Sequence, residues 1–578
     1  MVSRRSLLQS LAAASGLVAA GGAFPLSADD KKSFRRGVVA SVQPLATQAG
    51  VDALKRGGNA VDAAIAAAIT LGVVDQHNSG LGGGCFILIR QADRKILAID
   101  GRETAPAAAS RDMYLRDGKA QPELSQTGPL AVATPGALAA YELALQRAGK
   151  LKLADFVSPA ADIAENGFAL DSNYARKLMS TAAKLKQFPG SAKSLLKADG
   201  SAYAQGELLK QPDLANTYRQ IAKQGADWFY RSEFAAQIGR WMKANGGLLT
   251  AADFAAYKPI IREPLQTKYR DCQIIGFPPP SSGGVHVAQM LNMLERFDLV
   301  ALQREGNGAL EHVLGEVMKL AFADRAHWLG DPDFAKVPRG LIDTEYAREL
   351  AAKIDKQKAV DVPSHGRPPR ATENVFSRDA YDPAESKHTT HIAAADAEGN
   401  WVGITATVNT TFGSKVIVPG TGLVLNNEMD DFSISPRQPN AFGLIGAEAN
   451  AVQPGKRPLS SMSPTIVVKD DEPILTVGAA GGPTIITQVL QVLVRVLDLQ
   501  QSPASAVAAP RIHHQWRPDA LRVEDSLGGA TTAALKARGH KIDPTNGIGV
   551  CQAVAIDSIS RQLIGVHDPR VPGSASGL

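Results

Sequence analysis

The chain changes texture at Thr389. Across residues 151–355 apolar side chains recur at three- and four-residue spacing, as in 310–328, which predicts helices and reads as scaffold. After Thr389 the stretches 390–395, 401–408, 465–468 and 474–477 have the length and composition of strands, with Gly and Asn between them. Residues 360–386, rich in Pro, Arg and Asp and without periodicity, read as an exposed loop. That loop runs through Lys387-His388 straight into Thr389-Thr390-His391. A cut there exposes a threonine at the head of a strand. A threonine hydroxyl is a poor nucleophile without a base, and an N-terminal threonine carries one in its own α-amine, with a reference pKa of ~7.7–8.0. Taken alone, Thr-Thr-His is more simply an ordinary strand segment.

The preceding part adds a predicted strand at 37–41, Ala-rich helices at 46–54 and 61–71 around Gly57-Gly58-Asn59, and a hairpin at 85–90 and 96–99. Asn78-Ser79-Gly80-Leu81-Gly82-Gly83-Gly84 is not a phosphate loop: it precedes a strand and has no Gly-Lys-Ser/Thr. Close backbone packing is the expectation. Residues 277–284, Phe-Pro-Pro-Pro-Ser-Ser-Gly-Gly, form a rigid interruption of the helical part.

A length of 578 residues implies several domains or one large, many-layered one. Hydrophobic residues at 44% and charged residues at 21% exclude a disordered chain and a polytopic membrane protein. The net charge, 62 − 57 = +5, is interspersed, so no basic stripe for nucleic acid is expected. Three scattered cysteines, Cys85, Cys272 and Cys551, indicate neither a zinc knuckle nor a disulfide framework. Arg4-Arg5 before an Ala/Leu/Val run reads as a cleaved export leader over about residues 1–28, resembling a twin-arginine signal; the alternative is an uncleaved anchor. The run is short for a span of ~20 residues, so no integral membrane span is expected.

Four motifs follow Thr389 in order: Thr407-Val408-Asn409-Thr410-Thr411-Phe412-Gly413, Leu425-Asn426-Asn427-Glu428-Met429-Asp430-Asp431-Phe432, Lys456-Arg457-Pro458-Leu459-Ser460-Ser461-Met462-Ser463-Pro464 and Gly478-Ala479-Ala480-Gly481-Gly482. Upstream stand Gly57-Gly58-Asn59-Ala60-Val61-Asp62-Ala63-Ala64 and Asp100-Gly101-Arg102-Glu103-Thr104-Ala105-Pro106. With these motifs, essentially the whole chain after the leader resembles the γ-glutamyltranspeptidases of the N-terminal-nucleophile hydrolases.

The resemblance implies an α+β fold, a four-layer αββα sandwich built from both fragments of a precursor that cleaves itself at His388–Thr389. The expected segments are 1–28, the leader; 29–388, the large subunit; and 389–578, the small catalytic subunit. Family members mostly carry another residue, often Gln, where this chain has His388. Thr389 aligns with the nucleophile and Thr407 with the threonine that orients it. Gly481 and Gly482 align with the backbone pair that stabilises the oxyanion, where glycine permits close approach. Arg102 matches the carboxylate-binding arginine, a planar fork suited to two oxygens, and Ser460 and Ser461 the hydroxyls that assist it. Asn409, Glu428 and Asp431 match the ammonium-binding set. Residues 436–454 resemble the lid of some members, with Phe442 where many carry Tyr.

No cofactor or metal is expected: Glu428-Met429-Asp430-Asp431 lacks the alternating ligands of an EF-hand, and the adjacent His513-His514 point to opposite faces of a strand. The implied activity is γ-glutamyl transfer from glutathione and related donors to water, amino acids or dipeptides, in the periplasm or outside the cell. The alternatives are a glutaryl/cephalosporin acylase of the same superfamily and an unprocessed γ-glutamyl-binding protein.

Overall fold

The computed structural model describes residues 33–371, 389–434, 446–557 and 559–578; the leader, His388 and Phe442 lie outside them. Two seven-stranded sheets, antiparallel throughout, face each other at the centre. The first runs Ser33–Phe34, Leu563–His567, Val550–Ile556, Glu472–Ala480, Thr465–Lys469, Cys272–Gly276, Leu265–Tyr269. The second runs Ser574–Gly577, Gly37–Ser41, Thr390–Asp396, Trp401–Thr407, Gly84–Arg90, Ile96–Gly101, Ile260–Arg262. Each sheet therefore interleaves strands from before and after residue 389.

The central strands of the second sheet are buried along their whole length, one face against the first sheet and the other against helices. That double burial explains why Thr390–Asp396 (THIAAAD) lacks the polar alternation of a half-exposed strand. Ala60–Val74 covers this sheet and is buried at every position. It starts where Asn59 accepts the Val61 and Asp62 N–H groups while Asp62 accepts the Asn59 N–H, a reciprocal cap. On the outer side of the first sheet lie Gly283–Leu294 and Thr484–Leu497, with Ala309–Trp328 packed on Gly283–Leu294. The result is the expected αββα sandwich.

The glycine run does what its composition suggests. A Cβ on Gly83 would stand 1.9 Å from the Thr407 carbonyl oxygen, and one on Gly82 2.0 Å from that of Val424. The turn is thus pressed against the end of the strand that carries Thr407. The three cysteines are free and buried. Within the described part of the expected exposed loop, Val362 is instead buried, and its carbonyl accepts the Trp516 indole N–H at 2.7 Å. Among the described residues no helix is long and apolar enough to cross a membrane.

Candidate active site

Thr389 immediately precedes Thr390–Asp396. The pairing Thr390↔Ala406 continues to set Thr389 opposite Thr407, and their hydroxyl oxygens are 3.4 Å apart. Thr407 Oγ1 also accepts the Asn409 N–H at 2.8 Å, which holds its rotamer. Asn409 has φ +79°, a left-handed conformation that asparagine tolerates. Its Nδ2 donates to the Asn427 carbonyl at 2.9 Å, so the acceptor end of the amide remains for the cleft it lines.

The other wall is built around Arg102, 1% exposed. Its Nη1 bonds Glu428, its Nη2 lies 2.5 Å from Asp431 Oδ2, and Nε and Nη2 donate to the carbonyls of Pro458 (3.1 Å) and Leu459 (3.3 Å). The guanidinium thereby joins the acidic turn Glu428–Asp431 to the segment leading into Ser460-Ser461. Glu103 stands behind it, with Oε2 3.8 Å from Nη1. Burial raises the carboxyls of Glu428 and Asp431, only partly offset by Arg102. Burial alone would lower Arg102, but Glu428, Asp431 and Glu103 together hold it above its ordinary value. The second carboxylate oxygen of Glu428 is buried and accepts no N–H or O–H among the described residues, while the Glu428 carboxyl lies within hydrogen-bonding reach of the Glu103 and Asp431 carboxyls. A buried carboxylate oxygen of this kind is an acceptor for a cationic ligand group.

Arg102, Thr389, Thr407, Asn409, Glu428, Asp431, Ser460, Ser461 and Gly482 line one cleft. Gly481 (φ +133°) and Gly482 (φ +58°) form the turn between Glu472–Ala480 and Thr484–Leu497, and Gly481 is one residue behind the lining. Every expected site residue within the described part is thus brought to this cleft or directly behind it.

One residue was not anticipated. Helix Ala309–Trp328, read as scaffold, carries Arg325 to the site, where Nε donates to Ser282 Oγ at 2.9 Å and Nη2 to Ser461 Oγ at 3.0 Å. Arg325 is a pure donor and fills an acceptor position of the Ser461 hydroxyl, so that hydroxyl's own proton can be offered to an incoming anion. Burial lowers the Arg325 guanidinium to about 10, with Asp431 acting in the opposite direction. The available signal was the charged pair Asp324-Arg325 inside a helix buried on nearly all sides.

The histidine pair does diverge: His513 Nδ1 meets Thr487 Oγ1 at 2.9 Å, and His514 Nε2 meets Asp519 at 3.2 Å. Elsewhere His312, Glu316 and His540 bring metal-type ligand atoms together. There, however, the Glu316 oxygens accept from Lys319 Nζ (2.8 Å) and the Val360 N–H (2.9 Å), and the two imidazoles bond each other at 2.7 Å. Lys319 already supplies the cation in that cluster.

Two facing antiparallel sheets, helices outside them and a threonine at the head of a central strand match the architecture that the resemblance to the N-terminal-nucleophile hydrolases implies. The family profile described as Gamma-glutamyltranspeptidase matches residues 46–578. The chain is 43% identical to the glutathione hydrolase proenzyme of Escherichia coli (strain K12), over 93% of this chain and 90% of that protein. It is 38% identical to the Acylase ACY 1 proenzyme of Pseudomonas sp. (strain SE83), over 88% of each. Among solved structures, the cephalosporin acylase from Bacillus halodurans superposes with a TM-score of 0.84 at 29% identity, covering 95% of this chain and 96% of that one. The chain belongs to the γ-glutamyltranspeptidase family.

Proposed function

We propose that this protein is an enzyme that transfers the γ-glutamyl group of glutathione-like donors to water or to the α-amine of an amino acid or dipeptide. Its precursor first cuts itself. The Thr389 hydroxyl attacks the His388 carbonyl, the C–N bond breaks as an ester forms, and the Thr389 nitrogen becomes a free α-amine. Water then hydrolyses the ester, leaving a carboxylate on His388. The products are a large fragment over about 29–388 and a small one over 389–578; both stay together because each sheet draws strands from both.

In turnover the α-amine takes the hydroxyl proton as Oγ attacks the donor's γ-carbonyl, Thr407 holds that hydroxyl in place, and the Gly481 and Gly482 N–H groups receive the oxyanion. The leaving amine departs with a proton, and water or an acceptor amine attacks the γ-glutamyl-threonine ester. Arg102, Ser460 and Ser461 take the donor's α-carboxylate, while Asn409, Glu428 and Asp431 take its ammonium. Phe442 serves as the lid residue, and the leader directs export.

The observation that carries this reading is the meeting, in one cleft, of the Thr389–Thr407 hydroxyl pair with a guanidinium and two carboxylates. A γ-glutamyl group carries a carboxylate and an ammonium on one carbon and needs both signs of charge. The similarity to two acylases favours a second reading, a glutaryl acylase; Glu428 and Asp431 speak for a donor that carries the amine. The test is a denaturing gel of purified wild type beside Thr389→Ala. Wild type should give two bands and the variant one full-length, inactive chain; a variant that still splits at the same bond has another nucleophile.

A further inference from the structure

The turn Gly481-Gly482 is held by a buried chain of hydrogen bonds that starts 30 residues away in sequence, at Arg511. Its guanidinium, 2% exposed, is anchored by Asp568 (2.6 Å) and the Val507 carbonyl (2.6 Å), and donates to Gln488 Oε1 at 3.1 Å. Because arginine can only donate, this contact fixes the sense of the Gln488 amide and turns its Nε2 toward the glycines. Gln488 Nε2 donates to the Ala480 carbonyl at 2.9 Å and to Thr484 Oγ1 at 3.1 Å. The Thr484 hydroxyl in turn donates to the Gly481 carbonyl at 2.7 Å. Gln488 and Thr484 are 0% and 3% exposed, so these bonds are shielded from bulk solvent. The packing leaves no slack: a Cβ on Gly549 would stand 2.0 Å from Gln488 Nε2, and one on Gly481 2.5 Å from Thr484 Oγ1.

The two carbonyls held in this way belong to consecutive trans peptide planes. In a planar trans peptide the C=O and the following N–H point in opposite directions. Fixing the Ala480 carbonyl therefore aims the Gly481 N–H, and fixing the Gly481 carbonyl aims the Gly482 N–H. Neither N–H donates to another described residue. Glycines with φ of +133° and +58° have no side chain to restrain these planes; the Thr484 N–H reaches the Gly481 carbonyl at a long 3.3 Å, and the Thr484 and Gln488 side chains add the shorter bonds.

We infer that Thr484 and Gln488, polarised by Arg511, are positioning residues that pre-aim both oxyanion donors. The inference rests on the reading of Gly481-Gly482 as the oxyanion site. Such preorganisation acts on the tetrahedral species and leaves the ground-state carbonyl nearly unaffected, so its loss belongs in kcat.

The experiment compares Thr484→Val, which keeps the shape and loses the hydroxyl, with Thr484→Ser, which keeps the hydroxyl, and Gln488→Met. Rates with a γ-glutamyl anilide are normalised to the small fragment seen on a denaturing gel. Losing a whole oxyanion donor costs ~10²–10³-fold in kcat, so misaiming one should cost ~10–100-fold, with KM changed less than about threefold. Thr484→Ser should restore most of the rate. Inhibition by a boronic acid analogue of the γ-glutamyl group, which forms a tetrahedral adduct with a hydroxyl, should weaken in step with kcat/KM across the variants. A Thr484→Val enzyme with near wild-type kcat, or one whose boronate affinity is unchanged while kcat falls, overturns the inference. Thr389→Ala in the same panel separates the two levels: if it still turns over, the reading of the site fails, and not only that of Thr484.

Discussion

Replacing Asp431 by Asn tests the charge logic of the cleft with little change of shape. Asp431 Oδ2 lies 2.5 Å from Arg102 Nη2, and its side chain is only 12% exposed. The amide keeps an acceptor oxygen and loses the negative charge. A hydrogen bond to a charged group is worth ~1.5–3 kcal/mol and a neutral one ~0.5–1.5, so an ammonium held by Asp431 should lose roughly 1 to 1.5 kcal/mol, about tenfold in kcat/KM. The same substitution also disturbs Arg102, which would weaken any donor with a carboxylate. A glutaryl anilide keeps the carboxylate and lacks the amine, so the ratio of kcat/KM for γ-glutamyl over glutaryl anilide cancels the shared damage. That ratio should fall about tenfold in Asp431→Asn. A ratio equal to wild type, with both donors slowed alike, would remove Asp431 from the ammonium site and favour the acylase reading.

Three further outcomes follow from the geometry. Arg325→Met loses charged hydrogen bonds to Ser282 and Ser461, and KM for a γ-glutamyl donor should rise ~10-fold or more with kcat changed less; an unchanged KM would place Arg325 outside substrate binding. Gly83→Ala forces a Cβ within 1.9 Å of the Thr407 carbonyl oxygen and should cost ~3 kcal/mol or more in stability; a variant melting with wild type would show that the backbone yields there. Burial pushes the Glu103 carboxyl up to about 7, with Arg102 opposing, so the folded state holds this proton more tightly than the unfolded chain. The stability this group contributes is present below its unfolded value, near ~4.3, and is lost as pH rises through about 7. In Glu103→Gln the fall of Tm between pH 5 and 8 should therefore be shallower, and an unaltered slope would assign the proton elsewhere.

Local signals carried much of the fold. The Ala-rich run at 61–71 is helical over Ala60–Val74 because its cap, Asn59 with Asp62, is written in adjacent residues. The strand expected at 474–477 extends over Glu472–Ala480, because pairing with Thr465–Lys469 at the Glu-Pro end and with Val550–Ile556 at the Gly-Ala-Ala end overrides the weak strand preference of those residues. The candidate site was legible where its residues sit in compact motifs after Thr389. Arg325 was not, since its partner Ser461 lies 136 residues further on, and the two meet through the packing of Ala309–Trp328 on Gly283–Leu294 together with the bond of Ser282 to the Ser460 carbonyl. The link from Arg511 to the glycines was hidden for the same reason: Gln and Thr in an apolar helix look like tolerated polar residues until the carbonyls they hold are known.

In the proposed reaction Thr389 becomes an N-terminal residue whose hydroxyl carries the γ-glutamyl group. The most direct test is acid-quenched turnover with a γ-glutamyl anilide, followed by intact-mass and fragment-ion measurement of the small fragment. The expected product is a fragment of 578 − 388 = 190 residues beginning at Thr389, with a γ-glutamyl ester on that first residue that disappears when the donor is exhausted. A fragment beginning elsewhere, or an adduct on any other side chain, would contradict the proposed reaction.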